Sequence, residues 1–273
     1  MVIDQKTKLN MVIGFPLEHS QSPLLHNAVY DMLGMNAVML AFANQNLKTM
    51  VQSIKTLSIA LTAVTMPYKE KIIKYLDDCE PEVKLLKAAN TIIQREGKLY
   101  GYNTDVAGIQ YALRNTNLTK KNVLIIGAGG AARAAAYVLQ KKRAHLFWLN
   151  RSKSKANALA QLFGGTVVNP QQINELLLDV IINTTPVGMY PNIDVLPLAA
   201  YQFQSHQTVF DMIYNPIQTQ LLKQAKKAKA KIIFGVDMFV GQGLQQIELL
   251  TNKKIRSSDV ADNIRKLLLK RLK

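Results

Sequence analysis

The stretch NVLIIGAGGAARAAAYVL, residues 122–139, joins an apolar run to an alanine-rich segment through the pattern Gly127-x-Gly129-x-x-Ala132. A short apolar run bounded by glycine reads as a strand, and the segment behind it reads as a helix. The first glycine permits a tight turn and the second lets backbone approach a pyrophosphate. The small third residue allows the helix to pack close to the strand. Amide groups at the new helix N-terminus then face phosphate, so Gly127, Ala128, Gly129, Gly130 and Ala131 are the candidate dinucleotide-binding residues. A lone glycine pattern is weak evidence; the strand before it and the helix after it supply the context the chemistry needs.

Beyond this unit, the strand AHLFWLN (144–150) runs into Asn150-Arg151-Ser152, the place where an NAD-selective protein carries an acid for the ribose hydroxyls. An acid would repel a 2′-phosphate, whereas a guanidinium pairs with it, so the expected cofactor is NADP. Lys155, one turn on, either adds charge there or is simply solvated. Residues 106–174 contain no Asp or Glu but ten Lys or Arg, a field that attracts a phosphorylated cofactor. Further apolar runs, GTVVN, DVIINT, TVFDMI and KIIFGV, continue the alternation of strand and helix.

Upstream, KLNMVIGFP (8–16), AVMLAFA (37–43) and IALTAVT (59–65) read as strands. Helical segments SPLLHNAVYDMLG, LKTMVQSIKTL and PYKEKIIKYLDD follow them in turn, the signature of βαβ units with a parallel sheet. AANTIIQREGKLYGYNT (88–104) reads as two strands about a turn at Glu96-Gly97. GLQQIELLT and the final SSDVADNIRKLLLKRLK are helical, the latter with Ser257 or Ser258 as N-cap. At 273 residues, two domains are expected, joined directly by helix.

Composition narrows the function classes. Apolar residues at 48% and charged ones at 19% exclude a disordered chain. The net charge of +16 invites nucleic acid, but no helix-turn-helix or zinc-finger spacing is present and aromatic residues are not interleaved with the basic ones. No nucleic-acid partner is expected. The single cysteine, Cys79, excludes an internal disulfide and a cysteine metal site, and fits a reducing compartment. Asp4, Lys6 and Lys8 interrupt the N-terminal apolar residues, and no run is long enough to span a membrane, so the expected location is cytoplasmic. His19, His26, His145 and His206 show no metal-ligand spacing, and no metal is expected.

Polar residues gather in the first part of the chain. Ser20 and Ser22 precede a helix, as caps or as hydroxyls offered to an anion, capping being the simpler reading. Asn90 and Thr91 follow an apolar helix, and Asn103, Thr104 and Asp105 close this part. In AVTMPYKEK (63–71), Lys69 and Lys71, with Lys74 beyond, read by default as a solvated helix face.

Taken in order, GFPLEHSQSPLLHN, AVTMPYK, AANT, GYNTD, GAGGAA, NRSKSKA, NTTPVGM, DMIYNPIQT and GVDMFVGQ make the chain resemble the shikimate dehydrogenase family over essentially its whole length. The resemblance implies an α/β protein of two domains with a deep cleft between them. Residues 1–105 plus 240–273 would form the substrate domain and 106–239 the Rossmann-type NADP domain. It further implies that Ser20 and Ser22 hold the carboxylate of shikimate or 3-dehydroshikimate. Thr65, Lys69, Asn90, Asp105 and Gln242 would meet the ring hydroxyls and the reacting oxygen, and Tyr214 would line the same pocket. On the cofactor side it implies Gly127 to Ala131 at the pyrophosphate, Asn150, Arg151, Ser152 and Lys155 at the adenosine phosphate, and Met212 and Gly235 near the nicotinamide. Lys69 and Asp105 would be the catalytic pair, the lysine exchanging a proton with the reacting oxygen and the aspartate orienting it. A homodimer is compatible with the resemblance.

Two positions depart from the family pattern: Ala63 stands where Asn is usual, and Lys87 where Gly is usual. Ala63 removes a polar group beside the expected pocket, which bears on substrate choice, and Lys87 gives up backbone freedom at a helix end. The rival readings are a quinate/shikimate dehydrogenase of broader specificity and a non-catalytic NADP-binding regulatory paralogue.

Overall fold

The computed structural model describes residues 3–255 and 258–272; Ser257 and the Ser258 side chain, the expected cap of the last helix, lie outside them. The chain forms two compact units. One comprises the described residues up to Gly108 together with Val240–Leu268. The other comprises Ile109–Phe239 and the residues from Leu269 onward. The chain passes from one to the other inside helices α4 (Asp105–Ala112) and α8 (Gly235–Thr251).

In the first unit, β1 (Lys8–Gly14), β2 (Ala37–Ala43) and β3 (Leu61–Val64) are linked by α1 (Ser22–Met32) and α2 (Leu47–Thr56). With β4 (Asp78–Cys79), β5 (Thr91–Arg95) and β6 (Lys98–Tyr102) they make one sheet in the order β2-β1-β3-β5-β6-β4. The βαβ pattern predicts a parallel sheet, but this one is mixed: β5 runs antiparallel to both β3 and β6. The turn at Glu96-Gly97 has φ of +51° and +75° and is too short for a crossover, so it forces the reversal. Alternation along the strands sends Met11, Ile13, Val64 and Ile92 to one face, where Met50 and Ile54 of α2 cover them.

The segment 67–78 is not the expected α-helix; only Lys71–Tyr75 winds, as a 3-10 turn. The backbone N–H of Asp77 donates to the Leu99 carbonyl at 2.9 Å and its carboxylate accepts from the Leu99 N–H at 2.8 Å. These bonds draw the chain onto β6 and leave room for little more than one turn, with Ile72 buried beneath it. After β4, the short α3 (Pro81–Leu86) returns the chain to β5.

The second unit holds β7 (Asn122–Ile126), β8 (His145–Leu149), β9 (Thr166–Val167), β10 (Val180–Asn183), β11 (Thr208–Asp211) and β12 (Lys231–Ile233). Helices α5 (Gly130–Lys141), α6 (Lys153–Phe163) and α7 (Gln220–Lys227) lie between them, whereas α9 (Ser258–Arg271) belongs as far as Leu268 to the first unit. The strands are parallel in the order β12-β11-β10-β7-β8-β9. This is the doubly wound arrangement, with the order reversing between β7 and β10. Leu124, Ile181 and Val209 lie in its core. Helix α8 begins at Gly235, earlier than the polar-apolar period beginning at Gly243 suggests, because VDMFVG, with Asp237 its one charged residue, is otherwise apolar and shows no face.

Candidate active site

In the first unit the candidate residues meet at one end of the sheet. Ser20 and Ser22 follow β1, Thr65 and Lys69 follow β3, and Asp105 follows β6. Because β5 is antiparallel, Asn90 enters it from that same end. Gly14 closes β1 so tightly that an added Cβ would stand 2.5 Å from Thr65 Cγ2, which brings the ends of β1 and β3 into contact. The loop 65–69 is tied down at both ends: the Thr65 N–H donates to the Ile13 carbonyl at 2.9 Å, and the Lys69 carbonyl accepts from Ala89 at 2.8 Å. Between them the buried Tyr68 donates its hydroxyl to the Asn44 carbonyl.

So held, Lys69 donates from Nζ to Asp105 Oδ2 at 2.6 Å. The other carboxylate oxygen, Oδ1, accepts from Asn90 Nδ2 at 2.9 Å. Asp105 starts α4, and its N–H donates to the Asn103 side chain at 3.2 Å, so its backbone is fixed as well. The carboxylate is 7% exposed and the lysine side chain 25%, which leaves the ammonium as the member of the pair open to a ligand. Lys71 and Lys74 are exposed, as the solvated reading requires. Ser20 and Ser22 do not cap α1. Its N-cap is Gln21, whose side chain donates to the His19 carbonyl at 3.3 Å and not to the helix, and Ser20 Oγ accepts a 3.4 Å bond from the Ser22 N–H. Gln242 is buried on α8, whose neighbour Gly243 packs against Leu25 of α1, an added Cβ standing 2.6 Å from that side chain.

In the second unit the candidate cofactor residues stand at the carboxyl ends of the strands. Gly127 has φ +116°, and a Cβ there would stand 2.4 Å from Thr184 Oγ1, so only glycine fits. At Gly129 nothing lies within 4 Å of an added Cβ. Open space there, followed by Gly130 and Ala131 at the head of the twelve-residue α5 with no side-chain cap, is what a pyrophosphate needs. The Gly127 N–H donates to the Leu149 carbonyl at 2.8 Å, which sets Asn150 beside the glycine loop. Asn150 Nδ2 donates to the Ser152 carbonyl at 2.9 Å, and Arg151 and Lys155 are exposed with no acid in the loop. These residues fit the phosphates of NADP.

Met212 follows β11, and Gly235 backs it closely, an added Cβ standing 2.5 Å from the Met212 carbonyl. Tyr214 lies in this second unit. Its ring stacks on Phe239 with centroids 4.7 Å apart. Sequence reasoning passed over the groups that hold this region. Buried Asp211 accepts from Asn183 Nδ2 at 3.0 Å, from the Ile213 N–H at 3.1 Å and from Thr219 Oγ1 at 2.6 Å, joining the loops after β10 and β11. Burial pushes its carboxyl up to about 6 against the pull of those donors. It also passed over Gln246, which lies four residues beyond Gln242 and therefore on the same face of α8; that spacing was the available signal.

Residues 12–92 match the family model for the shikimate dehydrogenase substrate binding domain, and residues 110–189 match that for shikimate / quinate 5-dehydrogenase. The chain is 41% identical to the shikimate dehydrogenase (NADP(+)) of Methanocaldococcus jannaschii, over 97% of this chain and 100% of that one. Among solved structures, a shikimate dehydrogenase in complex with NADP+ shares 38% identity with a TM-score of 0.92, over 100% of this chain and 98% of that one. The enzyme of Thermus thermophilus, in complex with NADP(H) and shikimate, shares 29% identity with a TM-score of 0.88, over 96% of this chain and 100% of that one.

Proposed function

Because the chain belongs to the shikimate dehydrogenase family, we propose that it interconverts 3-dehydroshikimate and shikimate with NADP(H), with Lys69 and Asp105 at the reacting oxygen. The observation that carries the residue roles is the 2.6 Å Lys69–Asp105 pair at the strand ends, with its carboxylate buried and its ammonium partly open. NADP(H), when bound, supplies or accepts the hydride. In reduction, the Lys69 ammonium donates a proton to the oxygen that gains negative charge, and Asp105 holds that ammonium in place. In oxidation the pair takes the hydroxyl proton back. Asn90 fixes the carboxylate from its other side, and Ser20 and Ser22 offer hydroxyls to the substrate carboxylate. Arg151 takes the 2′-phosphate, with the amide groups of α5 at the pyrophosphate.

Lys69→Ala is expected to lower kcat by about 10²–10⁴, with the KM for NADP held. Lys71→Ala is expected to behave as the parent. The opposite pattern overturns the assignment. Kinetics with shikimate and quinate against NADP and NAD separate the narrow enzyme from a broader quinate/shikimate dehydrogenase. Measurable NADP binding with no turnover of either acid would instead support the regulatory paralogue.

A further inference from the structure

Gln246 is 1% exposed, and its Oε1 makes no close hydrogen bond among the described residues, although the side chain partners the buried His26 ring. The amide thus serves two neighbours, and its N–H end is the one that reaches the candidate site. That end donates to Thr91 Oγ1 at 2.9 Å and to the Asn90 carbonyl at 3.4 Å. So oriented, the amide N–H end faces the Asn90 carbonyl and the Thr91 hydroxyl together. With one lone pair filled by Gln246, the Thr91 hydroxyl donates onward to Asn90 Oδ1 at 2.8 Å. The Thr104 N–H converges on the same oxygen at 2.7 Å. An oxygen so surrounded by donors leaves the Asn90 amino group one direction, toward Asp105 Oδ1 at 2.9 Å.

We propose that Gln246 and Thr91 are positioning residues that aim Asn90, and through it Asp105 and Lys69, from the face of α8. The inference rests on the reading of Lys69 and Asp105 as the catalytic pair. Gln246→Leu leaves the Asn90 carbonyl its bond from the Val64 N–H at 2.7 Å, but it also removes the side-chain partner of the buried His26 ring. Its melting temperature is expected to fall modestly, and kcat for shikimate to fall roughly tenfold, with the KM for NADP unchanged. Thr91→Val is expected to do the same, Thr91→Ser to restore the rate, and the Gln246→Leu/Thr91→Val pair to be no worse than the worse single variant, since both act through one bond.

Lys69→Ala is measured beside them. If it keeps the parental rate, the catalytic reading fails and this inference falls with it. If Lys69→Ala is inactive while Gln246→Leu and Thr91→Val retain the parental kcat, positioning alone is overturned. A lower melting temperature with an unchanged kcat has the same meaning, because it marks a purely structural residue. Should Gln246→Leu not fold, the near-isosteric Thr91→Val and its serine rescue decide the matter alone.

Discussion

Lys87 ends α3 with φ +49° and ψ +39°, a left-handed conformation that glycine adopts freely and a lysine does not. The strain is about 1–2 kcal/mol, partly offset because glycine loses more freedom on folding. Lys87→Gly is therefore expected to raise the melting temperature by about 2 °C in a thermal scan, with kinetics unchanged; a fall would mean that the exposed lysine stabilises the helix end. His26 carries a different consequence. It is fully buried, donates from Nδ1 to the Ser22 carbonyl at 2.8 Å, and burial depresses its pKa from 6.5 to about 4. Between those values the unfolded chain binds a proton that the folded chain refuses. The stability is present in full above 6.5 and is lost as pH falls toward 4, by about 3 kcal/mol in total. Urea denaturation at several pH values should show this slope in the parent relative to His26→Phe; parallel curves would overturn it.

The loop between β7 and α5 shows what a single element demands. Gly127→Ala must accommodate both φ +116° and a 2.4 Å approach to Thr184 Oγ1, which itself donates to the Ile126 carbonyl at 2.7 Å. Titration calorimetry is expected to show NADP affinity reduced at least about tenfold, with shikimate affinity unchanged. Equal losses for both ligands would mean general unfolding, and no loss would place the cofactor elsewhere. This element was legible in the sequence because its requirement is local: strand, tight turn and helix lie in one stretch. The same holds for the β5-β6 hairpin, whereas Lys69 read by its own residues as part of a solvated face and was singled out only by the resemblance, because its loop is tied to Ile13 and Ala89. Illegible were features set by partners distant in sequence. The 3-10 turn Lys71–Tyr75 depends on Asp77 pairing with Leu99; the placing of β5 depends on its antiparallel pairing with β3; and Gln246 meets a threonine 155 positions away. No window of periodicity contains both members of such pairs.

For the whole molecule, the charge of +16 needs an account, since so uneven a balance opposes the compact state by self-repulsion. The run from 106 to 174, with ten cations and no acid, includes the glycine loop and Arg151, so the field of the NADP-binding unit is positive around the phosphates it would hold. NADP differs from NAD by one phosphate monoester and so draws more on that field. Raising ionic strength from about 0.01 to 0.3 M shortens the screening distance from about 30 Å to under 10 Å. The KM for NADP is then expected to rise several-fold and that for NAD to change less. Removing the guanidinium by Arg151→Ala should raise the NADP value at low salt and flatten its dependence on salt, because part of the screened attraction is already gone. Equal salt slopes for the two cofactors in the parent would separate the basic charge from cofactor binding. The variant's slope then tells a local phosphate clamp from a diffuse field: a clamp removes most of the NADP preference at every ionic strength, whereas a field leaves that preference nearly intact at low salt.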